Sequence, residues 1–194
     1  MLKLKNISVK NFMSVGNNVQ GVRFDDKNLT LVLGNNLDLG GDGSRNGTGK
    51  TTIINALSYA LYGEALTNIR RDNLINKTNS KGMIVSVDFE LKGVEYRIER
   101  GRRPNILRFF VNGTENDDQE QQGDSRETQK EIEKVIGFSH EMFKHIVALN
   151  TYTEPILGMK NNDQREMIEQ LLGIQELSQK AEVLKEKQKD TRDS

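Results

Sequence analysis

Cysteine is missing from the 194 residues, which removes disulfide frameworks, thiolate zinc sites and cysteine nucleophiles together and fits a reducing, cytosolic-type compartment. Net charge is missing too. Twenty-eight Lys and Arg balance twenty-eight Asp and Glu, so no global field points to a nucleic acid or a membrane, and any such patch must be local. Apolar residues make up 35% against 29% charged, so a core forms only if they are concentrated in part of the chain. The opening MLKLKNISVK holds no apolar run of signal-peptide length, and nothing later approaches the roughly 18 apolar residues of a membrane span. The Asn-x-Thr triplets at Asn28, Asn46, Asn76 and Asn112 then read as turn chemistry and not as glycan acceptors.

What is present is unevenly placed. Residues 66–111 carry ten basic and five acidic groups, whereas 112–133 carry two basic and eight acidic. Residues 114–130, TENDDQEQQGDSRETQK, have no aliphatic side chain and read as a solvated acidic loop. After Gly173, Ile174, Leu177, Ala181, Leu184 and Gln188 recur at spacings of 3, 4, 3 and 4, the seam of a coiled-coil helix beginning over 173–194.

The first 65 residues carry an α/β signal. Leu2, Leu4, Ile7 and Val9 suggest a strand, Val19 to Phe24 a second, and LTLVL at 29–33 is a continuous apolar run of the kind a strand buried on both faces requires. A glycine-rich stretch leads into TTIINALSYALYGE, where Ile53, Ile54, Leu57, Ala60 and Leu61 fall on one helical face and Gly63 stops the helix. Between loop and helix stands Arg45-Asn46-Gly47-Thr48-Gly49-Lys50-Thr51-Thr52, the expected nucleotide-binding residues.

A bound triphosphate needs several donors converging on a small volume, and glycines let backbone N–H groups face it without a Cβ in the way. The loop opens on a helix N-terminus, whose unpaired N–H groups favour an anion. Lys50 adds a charge that reaches the β and γ phosphates, and Thr51 can place its hydroxyl on a bridging Mg²⁺. One departure stands out. The pattern G-x-x-x-x-G-K-[ST] wants a glycine six residues before Lys50, at the start of a loop spanning 44–52, and that position is Ser44. Gly34 follows the strand ten residues too early, so Asn35 to Ser44 reads as an insertion, either a flap over the nucleotide or a tolerated surface loop.

Met83 to Glu90 leads with apolar residues to Asp88, as a metal-binding acidic strand would. Its periodicity argues otherwise. Val85, Val87, Phe89 and Leu91 alternate with Ser86, Asp88, Glu90 and Lys92, which turns Asp88 away from the core. A turn at Lys92-Gly93 and a second run through Val94, Tyr96 and Ile98 make an antiparallel hairpin, and a third strand, Ile106 to Val111, ends in Asn112-Gly113. Arg97, Arg100, Arg102, Arg103 and Arg108 crowd this lobe; they are either a DNA-phosphate contact or a solvated basic tip.

The opening LKLKNISVKNFMSVG, the run LTLVLG, the segment RNGTGKTTIINALSYALYG and the heptads from Ile174 together resemble the amino-terminal half of the SMC-related, ABC-type ATPases of double-strand-break repair, the SbcC group, with its phage-type members nearest. The resemblance covers essentially the whole chain and implies an α/β P-loop NTPase head. Residues 1–172 would be its amino-terminal lobe, with the antiparallel β lobe at about 83–113, and 173–194 the start of its coiled coil. It implies ATP and Mg²⁺ as cofactors, and four partners. These are a carboxy-terminal half bringing the signature motif and acidic strand, a second head in an ATP-dependent dimer, an SbcD-type Mn-dependent nuclease subunit near the coil base, and DNA. HEMFKHIVALNTYTEPILGM, 140–159, matches the family region holding a glutamine that senses Mg²⁺ and the attacking water, and Asn150 falls there. Asn150 is thus implied as a metal-site and catalytic residue beside Lys50, although its shorter side chain favours contact through water. His140 and His145 read as ordinary helix positions. The chain would be an ATPase whose catalytic site is incomplete by itself. The alternatives are a freestanding nucleotide switch or small-molecule kinase, which should contain its own acidic strand, and a coiled-coil interaction module with a structural nucleotide.

Overall fold

The computed structural model describes residues 2–24, 29–35, 48–116, 125–149 and 156–172, together with Ile174, Lys180, Leu184 and Gln188. The chain divides into two compact units, Met1–Gly137 and Phe138–Ser194.

In the first unit a six-stranded sheet has the order β2-β1-β3-β4-β5-β6. Its strands are β1 (Leu2–Lys10), β2 (Gln20–Arg23), β3 (Met83–Leu91), β4 (Val94–Arg102), β5 (Ile106–Val111) and β6 (Thr114–Glu115). Every pairing is antiparallel. Ile7 lies opposite Val87, Val87 opposite Ile98 and Ile98 opposite Phe109. The alternation expected of the hairpin thus becomes a row of side chains across four strands, none more than 1% exposed. Phe109 at the end of the row also stacks on Tyr96, and Tyr96 on Phe89, with ring centroids 5.7 and 5.2 Å apart. The turns are those the sequence predicts: Lys92 and Gly93 have φ of 53° and 81°, Asn112 and Gly113 of 49° and 82°, the left-handed pairs that join two-residue hairpins.

Helix α1 (Lys50–Tyr62) packs on the apolar face of this sheet against β3, β4 and β1. Gly63 ends it in left-handed geometry, its N–H donating to the Tyr59 carbonyl. The buried face matches the one the apolar residues predict only in part: Ala60 and Leu61 are buried as expected. Thr52, Asn55, Ala56 and Tyr59 are buried, while Ile54 is 38% exposed and Ile53 and Leu57 are half-buried. The polar members are inside because each has a partner. Asn55 donates to the Thr51 carbonyl and accepts from the Leu66 N–H, and Ser58 donates to the Glu64 carbonyl.

Two further expectations are corrected. Residues 29–33 form no strand, and Leu29, Leu31 and Leu33 are 88%, 79% and 66% exposed; among the described residues nothing pairs with this run, and a strand apolar on both faces requires flanking strands. Residues 125–130, expected in the acidic loop, begin helix α2 (Ser125–Ile136). Ile132 and Ile136, four apart, are buried, and Gln129 one turn earlier donates to the Leu61 carbonyl at 3.2 Å, anchoring the polar start. Residues 117–124, the remainder of that loop beyond Asn116, lie outside the described residues.

The second unit contains α3 (His140–Met142), a π-helical turn Phe143–Val147 and α4 (Asn161–Leu171). Ser139 caps α3, accepting from the Met142 N–H and donating to Gln170 at 2.9 Å. Phe143 and Met167 are buried. Of the heptad seam, Leu177 and Ala181 lie outside the described residues, whereas Leu184 and Gln188 are helical and Leu184 is exposed.

Candidate functional site

The site begins where α1 begins. Gly49, the residue before the helix, has φ 82° and ψ 10°, a conformation a side chain would strain. Among the described residues no side chain caps the helix and no acidic residue stands in its first turn, which leaves the N-terminal N–H groups and the positive end of the dipole to an anion. Lys50 donates from Nζ to Thr48 Oγ1 at 3.2 Å, which folds the side chain back toward the residue two before it. Thr51 is exposed at the second helical position, while Thr52 is buried.

Thr52 shares a hydrogen bond of 3.0 Å with Ser14, and Ser14 Oγ would lie 3.2 Å from a Cβ at Gly49. Ser14 is a site-adjacent residue that sequence reasoning missed. It is held by a polar web around Asn11, which is buried and has φ 51°. Asn11 Nδ2 donates to the carbonyls of Lys81 and Gly82, and its Oδ1 accepts from Asn79 at 2.7 Å. Asn76 donates to the Met13 carbonyl, and the Met13 N–H donates to the Leu74 carbonyl at 2.7 Å. The turn after β1 is thereby tied to the 74–82 loop and presses Ser14 against the helix start. The signal in the sequence was the polar turn N-F-M-S-V-G directly after a strand.

Of the predicted nucleotide-binding residues, Thr48, Gly49, Lys50, Thr51 and Thr52 come together here; Arg45, Asn46 and Gly47 lie outside the described residues, as does Asn150. His145 Nε2 is 3.6 Å from Glu141 within one helical turn, and among the described residues no group of three His, Cys, Asp or Glu could hold a metal.

The five arginines do not form one patch. Strand alternation puts Arg97 and Arg108 on the sheet face opposite α1, and Arg100 and Arg102 on the α1 face. Arg97 lies 3.2 Å from Asp88 and 3.4 Å from Glu99, Arg102 2.8 Å from Asp72, and Arg108 3.5 Å from Glu115. The Arg102 guanidinium holds the Asp72 carboxyl below its usual range. Arg100 lies over the Tyr59 ring and bonds the Ala60 carbonyl and Gln129, and burial pushes its pKa down to about 10. Arg103 is exposed on the turn before β5.

The AAA domain family model matches residues 6–194. Exonuclease subunit 2 of Enterobacteria phage T4 is 35% identical over 179 residues, covering 91% of this chain and 30% of that protein. The DNA double-strand break repair Rad50 ATPase of Methanococcus maripaludis is 26% identical over 194 residues, covering 97% of this chain and 18% of that protein. The chain therefore spans less than a third of the length of either relative. Among solved structures, an Smc head domain with an extended coiled coil from Pyrococcus furiosus, bound to the C-terminal domain of ScpA, aligns with a TM-score of 0.63 and 19% identity, covering 100% of this chain and 47% of that one. The likeness shows the fold of an SMC-type head.

Proposed function

The chain belongs to the AAA domain family, and on that footing we propose that it is the ATP-binding half of an ATPase head in a DNA double-strand-break repair and recombination clamp. The observation that carries the reading is the start of α1: left-handed Gly49, then Lys50, at a helix N-terminus that no side chain caps and that has no acidic residue in its first turn among the described residues. The donor set fits a triphosphate and one hard cation. Lys50 and the first-turn N–H groups would hold the β and γ phosphates, Thr51 the Mg²⁺, and Arg45, Asn46, Gly47 and Thr48 the rest of the loop. Asn150 is assigned to the metal or its water. Mg²⁺-ATP, when bound, supplies a phosphoanhydride whose negative charge the metal partly offsets. Thr52, buried against Ser14, braces the helix start from behind.

Phosphoryl transfer also needs a carboxylate to aim water. Asp88 is unsuited, because it accepts from Asn6 at 3.2 Å and pairs with Arg97 on the face away from α1. We therefore assign that group, with the signature motif, to a carboxy-terminal half of the same head. The exposed run Leu29–Leu33 supports this, since flanking strands would bury it. A second head, an SbcD-type Mn-dependent nuclease subunit near the coil base, and DNA complete the proposed assembly; relatives named an exonuclease subunit and a double-strand-break repair ATPase support it. Among the described residues no helix is long and apolar enough to cross a membrane, and the reading implies a cytoplasmic site of action.

Equilibrium titration with Mg²⁺-ATP tests the assignment. Lys50→Ala removes a charge-assisted contact, and affinity should fall roughly ten- to a hundredfold. Unchanged affinity would remove the phosphate loop from the site.

A further inference from the structure

We propose that Gly34, and not Ser44, is the first glycine of the phosphate loop, and that residues 35–44 interrupt the motif in sequence without belonging to it. The inference rests on the nucleotide-binding reading above and adds a positioning residue to that site.

Two independent observations meet at Gly34. The first is a contact. A Cβ built on Gly34 would stand 1.8 Å from Thr48 Oγ1, 2.6 Å from Thr48 Cβ and 3.0 Å from Thr48 Cγ2. Rotating the threonine would not make room, because its Cβ is fixed to the backbone, so only a residue without a side chain fits. Thr48 in turn receives the Lys50 ammonium at 3.2 Å. Gly34, Thr48 and Lys50 are therefore consecutive in space although fourteen positions separate the first two in sequence.

The second observation is one of spacing. Joining Gly34 directly to Arg45 gives Gly34-Arg45-Asn46-Gly47-Thr48-Gly49-Lys50-Thr51, which satisfies G-x-x-x-x-G-K-[ST] with no residue over or short. The pattern that fails at Ser44 is met in full by the residue that the fold brings against Thr48. The requirement for glycine at the head of the loop is thus a close approach of backbone to side chain, and Ser44 does not inherit it.

The test uses variants of the full chain, with circular dichroism to confirm folding and competition of Mg²⁺-ATP against a fluorescent ATP analogue to read affinity. Gly34→Val should weaken Mg²⁺-ATP by roughly tenfold or more. Ser44→Gly, which supplies the contiguous motif with its missing glycine, should leave affinity within about twofold, and deleting 35–44 should keep it within about fivefold. A roughly tenfold gain from Ser44→Gly, undiminished binding by Gly34→Val, or loss of binding by a folded deletion variant would overturn the inference. If the deletion variant does not fold, Gly34→Val and Ser44→Gly decide it between them. Failure here is distinguishable from failure of the site itself: if the unaltered chain binds, Lys50→Ala does not and Gly34→Val does, only the role of Gly34 falls. If the unaltered chain does not bind, the phosphate-loop reading falls and takes this one with it.

Discussion

Arg100, in the fourth strand, donates from Nε to the carbonyl oxygen of Ala60, in the last turn of α1, at 3.1 Å. The helix that starts at the phosphate loop therefore ends on a guanidinium of the antiparallel sheet, which satisfies a C-terminal carbonyl and places a cation at the negative end of the dipole.

Replacing Arg100 by Ala should destabilise the first unit by about 1.5–3 kcal/mol, seen as a fall in unfolding midpoint of roughly 3–12 °C. Lys should not restore it, because an ammonium cannot bond the Ala60 carbonyl and Gln129 together while lying flat on Tyr59. Thermal unfolding of both variants checks this; an unchanged midpoint would mean that the contact contributes nothing.

The same arginine should not be a DNA contact. Arg97, Arg103 and Arg108 are all exposed, but Arg97 and Arg108 stand beside carboxylates, so Arg103→Glu should lower DNA affinity and reduce the slope of log affinity against log salt by about 1. Arg97→Glu and Arg108→Glu, whose charges face Asp88, Glu99 and Glu115, should change the slope less. Equal effects at all three positions would favour a continuous patch.

Alkaline stability should follow the buried phenol of Tyr62. Burial holds its pKa well above the ordinary value, with the Glu133 charge adding to the effect. Above pH 10 the unfolded chain releases this proton while the folded chain keeps it, so stability falls as pH rises. Arg100 acts with the opposite sign between about 10, its folded value, and its ordinary pKa above about 12. Tyr59, also raised by burial, acts with Tyr62. Denaturant unfolding from pH 9 to 11.5 should show a decline that Tyr62→Phe flattens; an equally steep decline in that variant would contradict the assignment.

Asn11→Ala should leave the carbonyls of Lys81 and Gly82 without their donor and put alanine, which tolerates the left-handed region less well than asparagine, at φ 51°. A loss of about 2–4 kcal/mol is expected. Because the same turn carries Ser14, Mg²⁺-ATP affinity should fall in the folded variant as well, and Ser14→Ala should reproduce the affinity effect with little loss of stability. Melting curves and nucleotide titration together separate the two.

Thr51→Ala should weaken Mg²⁺-ATP more than metal-free ATP, since the exposed hydroxyl is assigned to the metal. Equal losses with and without Mg²⁺ would remove that role.

The sheet was legible in the sequence because its signals are local: strict alternation in β3 and β4, and Lys92-Gly93 and Asn112-Gly113 at turns that require positive φ. The start of α1 was legible for the same reason. Its buried face was legible only at Ala60 and Leu61, because Asn55 and Ser58 point inward only once the Leu66 N–H and the Glu64 carbonyl are in place, and tertiary partners leave no mark on helical periodicity. LTLVL misled because apolar character reports what a segment would bury, not whether flanking strands accompany it. Helix α2 was hidden by a start with no aliphatic side chain, its hold on the fold coming from Gln129, Ile132 and Ile136. The place of Gly34 needed both levels, since spacing shows that the motif fails at Ser44 and reads 35–44 as an insertion, whereas the contact of Gly34 with Thr48 appears only in three dimensions.

Steady-state ATP hydrolysis, measured for the chain alone and after addition of a family-type carboxy-terminal half, tests the half-head account most directly. The account predicts background turnover by the chain alone, and hydrolysis in the mixture that Lys50→Ala abolishes. Robust hydrolysis by the chain alone, abolished by Lys50→Ala, would contradict it and identify a freestanding enzyme.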